Sequence, residues 1–319
     1  MTPLPLGPLG YGAAALGNLY RARPDDVWPG IVPTAWDAGI RYFDTAPHYG
    51  LGLSERRLGE SLRGLSRDEY VLSTKVGRLI EPNPAYRPGD TDLANLFDVP
   101  ATERRRFDYS RDGILRSVDD SLTRLGVDRI DLLLVHDPDE HEREALDSAF
   151  PALDELRSQG VIRAYGAGMN QSAMLSRFVR ETDLDVVMCA GRYTLLDPSA
   201  AADLLPAAVE RGVQVVVAAV FNSGLLATER PLAGARFNYG EPPADLVARV
   251  NRIADLAAAY GVTVPQLAAQ FPLRHSAVST VVLGADTPAQ VSANTRLLDA
   301  PVPEDLWAEL AESRLIQHA

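Results

Sequence analysis

One pattern constrains this chain more than any other: a short apolar run, a turn and an amphipathic helix, repeated about eight times. The apolar runs read as strands at 40–44, 71–74, 130–135, 161–167, 185–190, 213–220 and 277–283. Helices are expected from Ser54 to Arg63, Ser110 to Leu125, 142–159, from Ser172, over 199–211, 245–260 and 288–297, and from near Pro303. Gly126, Gly160, Gly212 and Gly261 close four of them where a left-handed cap favours glycine. The strands are almost continuously apolar, as strands covered on both faces are. The pattern predicts an α/β fold, a single (β/α)8 TIM barrel over residues 1–319. A doubly wound sheet is the competitor, but no Gly-x-Gly-x-x-Gly joins a first strand to its helix. Two stretches exceed a bare barrel: a long substrate-side loop at 76–109 and a second insertion at 227–243. Both are expected on the carboxyl-end face, where barrel enzymes carry their sites.

Composition excludes several classes. The net charge of −12 offers no electrostatic footprint for nucleic acid. The basic run Arg104-Arg105-Arg106, flanked by Glu103 and Asp108, reads as a solvated loop or helix face. Cys189 is the sole cysteine, so no internal disulfide or cysteine metal site is expected. The amino-terminal residues lack the pattern of a signal peptide, and no apolar run is long enough to span a bilayer. A cytoplasmic protein with no membrane partner is the expectation; the oligomeric state is not legible.

Lys75 is the only lysine beside 30 arginines. The two are not interchangeable, because a lysine ammonium is compact and its pKa responds to burial. Lys75 ends an apolar strand, where a charge needs a carboxylate and usually a task. Asp44 and His136 end two other strands, and Tyr49 follows Asp44 in the next loop. Read as consecutive strand ends, the four converge. An isolated tyrosine has a pKa near 10, so roughly one in a thousand is ionised at neutral pH. A nearby ammonium lowers that value, which makes Tyr49 a usable general acid or base for a substrate oxygen. Asp44 keeps Lys75 charged, and His136 orients the same oxygen. No His-x-His pair offers a metal site, and no Ser or Cys stands out as a nucleophile. Each residue alone has a structural explanation: a buried pair, a core histidine, a barrel cap. A Schiff-base aldolase also places a lysine at a strand end, but Asp44 argues against it. A non-catalytic scaffold is the other class.

The segment Gly39-Ile-Arg-Tyr-Phe-Asp-Thr-Ala-Pro-His-Tyr-Gly50, with Ser54-Glu55 and Leu58-Gly59, resembles the signature of the aldo-keto reductase superfamily. The resemblance runs from Gly10 to about Leu298. It implies a barrel, an extended nicotinamide cofactor and the tetrad Asp44, Tyr49, Lys75 and His136. A narrower resemblance is to the branch that oxidises sugars at C1. That branch includes the L-fucose, D-threo-aldose and L-galactose dehydrogenases, and pyridoxal 4-dehydrogenase. It is carried by Val76-Gly-Arg-Leu-Ile80, Phe107-Asp-Tyr-Ser-Arg-Asp-Gly113, Asp128-Arg-Ile-Asp131, His136-Asp-Pro-Asp139, Ala190-Gly-Arg-Tyr-Thr-Leu-Leu196 and Phe221-Asn-Ser-Gly-Leu225.

The resemblance implies oxidation of an aldose to its lactone, with pyridoxal oxidation or aldehyde reduction as alternatives. It implies cofactor contacts from Gly10, Tyr11 and Gly12, from Asp44 and Asn170, and from Phe221, Asn222 and Ser223. Further contacts are implied from Gly284, Asp286, Thr287, Gln290 and Asn294. His48, Tyr49, Arg78, His136 and Asp137 would meet the substrate, with Asp139 as an alternative partner. The chain departs from the family at Met169, Ala190 and Ala218, where a serine, a glutamine and a stacking aromatic are usual; Phe221 is a candidate for the last role. Gly284 and Gln290 replace the basic residues that clasp the 2′-phosphate in NADP-preferring members, and Asp286 adds a negative charge. NAD is therefore expected, with NADP as the alternative. Asp286 or Thr287 also suits the N-cap of the helix begun by Pro288.

Overall fold

The computed structural model describes residues 3–238 and 240–317. Positions 1, 2, 318 and 319 of the expected domain, and 239 within the expected 227–243 insertion, lie outside the described residues. The strands are β1 (Leu9–Gly12), β2 (Tyr42–Asp44), β3 (Val71–Val76), β4 (Arg78–Pro82), β5 (Glu103–Phe107), β6 (Leu132–His136), β7 (Ala164–Met169), β8 (Val186–Ala190), β9 (Gln214–Ala218) and β10 (Val278–Gly284). The helices are α1 (Ile31–Asp37), α2 (Leu53–Leu62), α3 (Arg111–Leu125), α4 (Glu142–Glu144), α5 (Phe150–Ser158), α6 (Ser172–Glu181), α7 (Leu204–Arg211), α8 (Ala244–Ala259), α9 (Val264–Gln270), α10 (Pro288–Arg296) and α11 (Glu304–Glu312). Eight parallel strands close in the order β1-β10-β9-β8-β7-β6-β3-β2, while β4 and β5 form a separate hairpin. This is a (β/α)8 barrel.

Strand parity decides what enters the barrel. Tyr42, Val71, Leu132, Leu134, Ala164, Val186, Met188, Val216 and Val282 pack together inside it, with Leu4 and Leu6 beside them. The alternate residues Phe43, Leu72, Leu133, Val135 and Val187 belong to the larger core beneath the helices. Ser110 caps α3 by accepting from Gly113 N, and Gly126 ends it at φ 65°.

Several expectations change. β1 was not foreseen as a strand: it has four residues, two of them glycine. Asp44, Lys75 and His136 therefore end the second, third and fourth barrel strands rather than the first three. Ser54 is not a helix cap but lies inside α2, where its hydroxyl donates to Ala13 O at 2.7 Å. The helix expected over 142–159 is α4 and α5 joined by a wide turn at Ala145–Ala149. The seven-residue helices α1 and α9 were not anticipated. The 76–109 stretch is no plain loop: β4 and β5 pair antiparallel from Arg78↔Phe107 to Pro82↔Glu103. Gly77 turns the chain from β3 into this hairpin at φ 97°, with Tyr109 so close that a Cβ would lie 2.1 Å from its ring. Among the described residues, no helix is long and apolar enough to cross a membrane.

Candidate active site

The inward parity of Tyr42 and Leu134 is shared by Asp44 and His136, and Lys75 continues the inward row of Val71. Three strands thus deliver their last polar residues into the same carboxyl-end mouth. Lys75 Nζ donates to Asp44 Oδ2 at 2.7 Å, to Thr45 O at 3.0 Å and to Tyr49 OH at 3.1 Å. The other Asp44 oxygen accepts from Ser73 Oγ at 2.7 Å. Lysine and aspartate side chains are only 2% and 4% exposed, so each compensates a charge the other could not bury alone. Gly168 lies beside the lysine: a Cβ there would be in ordinary contact, 3.6 Å from Lys75 Cε.

Tyr49 is held by its loop. Gly50, Leu51 and Gly52 are all left-handed, at φ 62°, 52° and 79°. Gly17 and Gly50 let two loop backbones touch: a Cβ on Gly50 would lie 2.2 Å from Gly17 O. The tyrosine ring packs beside Phe97, which the 83–102 segment brings over it, with centroids 5.9 Å apart. Burial would lower the Lys75 pKa, but the Asp44 carboxylate and the Tyr49 oxygen outweigh it and hold the lysine above its ordinary value. The tyrosine differs from the expectation. Burial raises its pKa more than Lys75 lowers it, and Asp44 adds to the rise.

His136 stands edge-on to Tyr49, with ring centroids 5.9 Å apart. Burial, then Arg78 and Lys75, push its pKa well below the ordinary range, so the ring is neutral. Its Nδ1 is buried without a protein partner, and its Nε2 lies 3.6 Å from Asp137 Oδ2. Tyr109 OH donates to His136 O at 2.7 Å and fixes the strand end. Arg78 donates to Asp137 Oδ2 at 2.6 Å, while Asp139 is exposed. His48 joins the group, 5.5 Å from His136 between ring centroids.

Arg105 is the residue that the sequence reading missed. Strand alternation sends Arg104 and Arg106 to Glu81 on the outer face of the hairpin. Arg105 is turned the other way and only 9% exposed. It binds Asp92 through two bonds of 2.8 and 2.6 Å, and His48 O at 2.7 Å. Arg104 and Arg106 thus keep to the solvated face expected of the run, on a β-hairpin strand, and Arg105 leaves it. The available signal was the alternating parity of three like charges.

The remaining expected residues line the rim from β7 round to β1. Asn170 follows β7, and its carbonyl accepts from Arg192 at 2.9 Å. Ala190 and Ala218 are half-buried, and Phe221 packs against the main core. Asn222 and Ser223 are left-handed at φ 47° and 59°. The buried Asn222 amide has neither its nitrogen nor its oxygen paired. Gly10 makes room for the Tyr42 ring, and buried Tyr11 donates to Ala285 O at 3.1 Å. These two support the rim from behind, and Gly12 ends the strand at its edge. Thr287, not Asp286, caps α10 by accepting from Gln290 N. Gln290 Oε1 in turn accepts from Asp286 N at 2.8 Å, and Asn294 donates to Gly284 O at 3.0 Å.

Asp286 is not a free negative charge. Its Oδ2 lies 3.0 Å from Arg21 and 2.8 Å from Arg23. Its Oδ1 and the Arg23 Nε are both buried without partners. Unsatisfied buried donors and acceptors at Asn222, Arg23 and Asp286 fit a polar, phosphate-bearing nucleotide better than an apolar ligand.

Comparisons agree with this geometry. The chain matches the Aldo/keto reductase family over residues 8–314. It is 52% identical to D-threo-aldose 1-dehydrogenase of a Pseudomonas species, over 97% of this chain and 94% of that one. It is 40% identical to pyridoxal 4-dehydrogenase of Microbacterium luteolum, over 99% and 96% of the two chains. Among solved structures, an aldo-keto reductase from Bacillus halodurans superposes with a TM-score of 0.74 at 27% identity, covering 98% of this chain and 92% of that one. With a buried Asp–Lys–Tyr set at the mouth of a closed barrel and a histidine beside it, the chain belongs to the aldo/keto reductase family of nicotinamide-dependent oxidoreductases.

Proposed function

We propose that this chain, one barrel domain over 1–319, is a cytoplasmic dehydrogenase that oxidises an aldose at its anomeric carbon to the lactone, with NAD as oxidant. The observation that carries this reading is the position of Lys75 between Asp44 and Tyr49, together with the similarity to a sugar C1 dehydrogenase. Tyr49 takes the proton of the anomeric hydroxyl. Lys75 favours the tyrosinate form in which Tyr49 can accept that proton, and Asp44 keeps Lys75 charged and aimed. Neutral His136 hydrogen-bonds the same substrate oxygen and orients it. A bound oxidised nicotinamide would accept the C1 hydride, and its cationic ring favours the tyrosinate. The Asn222 amide and the rim at 284–294 are the residues proposed to hold that cofactor.

The NAD preference rests on three observations. Gly284 and Gln290 bring no charge. Arg21 and Arg23 are already committed to Asp286. The unpaired Asp286 Oδ1 is an acceptor for a ribose hydroxyl. A Schiff base at Lys75 is disfavoured, because its nitrogen is charged and donates three hydrogen bonds.

The test is the initial rate of NADH or NADPH formation with L-fucose, D-arabinose, L-galactose and pyridoxal, each with NAD and NADP. Sugar turnover faster with NAD supports the reading. Turnover of pyridoxal alone moves the substrate to the vitamer suggested by the 40% identical relative. Activity only in aldehyde reduction with NADPH overturns it.

A further inference from the structure

His48 is a histidine that cannot behave as one. Its Nδ1 accepts from Arg105 Nε and, at 3.4 Å, faces Arg78 Nη1. Both are guanidinium groups, which donate only. Nδ1 therefore carries no proton, and a neutral ring must hold its single proton on Nε2. That nitrogen makes no hydrogen bond among the described residues. The ring stands 5.5 Å from His136 and 6.0 Å from Tyr49 between centroids, beside the atoms that would hold the reacting hydroxyl. Phe97 closes the third side at 5.3 Å.

Every charged group that faces this ring is accounted for. Arg105 comes from β5, Arg78 from β4, Lys75 from β3 and neutral His136 from β6. The two carboxylates within reach are taken: Asp92 by Arg105 and Asp137 by Arg78. Burial, followed by Arg105, Arg78 and Lys75, pushes the His48 pKa down to about 2. Burial beside these cations favours the neutral ring.

Arg105 is built for this task rather than for charge alone. Its Nη1 and Nη2 grip Asp92, its Nη2 also holds the His48 carbonyl, and its Nε meets the ring. A lysine could not make that set, because it lacks the planar fork. Asp92 is itself 94% buried, counted as 6% exposed, so the arginine cannot swing away without stranding a carboxylate.

We propose that Arg105 is a positioning residue that fixes His48 as an uncharged Nε2–H donor to the substrate hydroxyl next to the reacting carbon. The site thereby selects polyhydroxylated substrates over their deoxy analogues. The inference rests on the aldose reading above for its substrate, but its structural half can be read without any substrate.

The first measurement is nitrogen NMR of the full chain with 15N-labelled histidine. In the wild type the His48 ring should show a protonated Nε2 and a bare Nδ1, unchanged from pH 5 to pH 9. Arg105→Lys keeps a cation beside Asp92 but loses the Nε donor. In that variant His48 should titrate within this range or exchange tautomers. A wild-type Nδ1–H signal, or a His48 that titrates near neutrality, overturns the proposal whatever the sugar assays give. The second measurement compares L-fucose with 2-deoxy-L-fucose. Arg105→Lys should raise KM for L-fucose about tenfold, the worth of one hydrogen bond, and leave KM for the deoxy sugar and kcat nearly unchanged. His48→Gln, whose amide nitrogen reaches the Nε2 position, should recover most of the L-fucose affinity and make a further Arg105→Lys change almost silent. Equal losses on both sugars, additive between the two positions, would mean that Arg105 only holds the hairpin together.

Discussion

Tyr49 and Lys75 share a hydrogen bond of 3.1 Å in which the lysine is the donor, so the tyrosine oxygen keeps its acceptor capacity directed at the barrel mouth. Tyr49→Phe removes the proton acceptor and nothing that holds the loop. Turnover should fall by about 10² to 10⁴, while nucleotide affinity by fluorescence titration and the melting temperature stay close to wild type. Full turnover in this variant would dismiss Tyr49 as the base.

The Asp44–Lys75 pair has a separate thermodynamic signature. Lys75→Met strands a buried carboxylate, at a cost of about 3–5 kcal/mol, and should lower the denaturation midpoint clearly. Adding Asp44→Asn should return much of that stability and none of the activity. If the double variant regained turnover, the lysine would be structural only.

Stability should fall on the acid side of neutrality. His48 and His136 both have folded pKa values below the ordinary 6.5. Above about pH 6.5 neither state binds the protons. Below it the unfolded chain takes them up and the folded chain does not, so stability is lost as pH falls. The slope reaches at most about 1.4 kcal/mol per pH unit for each ring. Melting temperatures between pH 8 and pH 5 test this, and His48→Gln should flatten the curve. A wild-type melting temperature constant across that range would show that both rings titrate normally.

Asp286 offers a direct test of coenzyme choice. Asp286→Asn releases Arg21 and Arg23, which then have a 2′-phosphate within their chemistry. The ratio of kcat/KM for NADP over NAD should rise about tenfold or more, as one charge-assisted contact would give. An unchanged ratio would place the ribose elsewhere.

The barrel was legible because its strands are buried on both faces and its helices end at glycines. The tetrad was legible because one lysine among 30 arginines is conspicuous, and because strand ends in a closed barrel must converge. β1 escaped notice, since four residues with two glycines carry little apolar signal. The hairpin escaped because its strands are charged and lean on the barrel instead of filling it. Arg21 and Arg23 could not be placed beside Asp286 from sequence at all, because a separation of 265 positions between Arg21 and Asp286 vanishes only when β1 pairs with β10. The same closure corrected the field argument at that locus: an apparently acidic rim holds two arginines.

The burial of Lys75 has a consequence outside catalysis. A single lysine, 2% exposed and held as an ammonium by Asp44, leaves amine-directed chemistry almost no side chain to attack. Aldehydes and reducing sugars, including the open-chain forms of the proposed substrates, meet no accessible lysine amine while the barrel is closed. Burial thus shields this amine from glycation, and an adduct at Lys75 is expected only once the barrel mouth has opened.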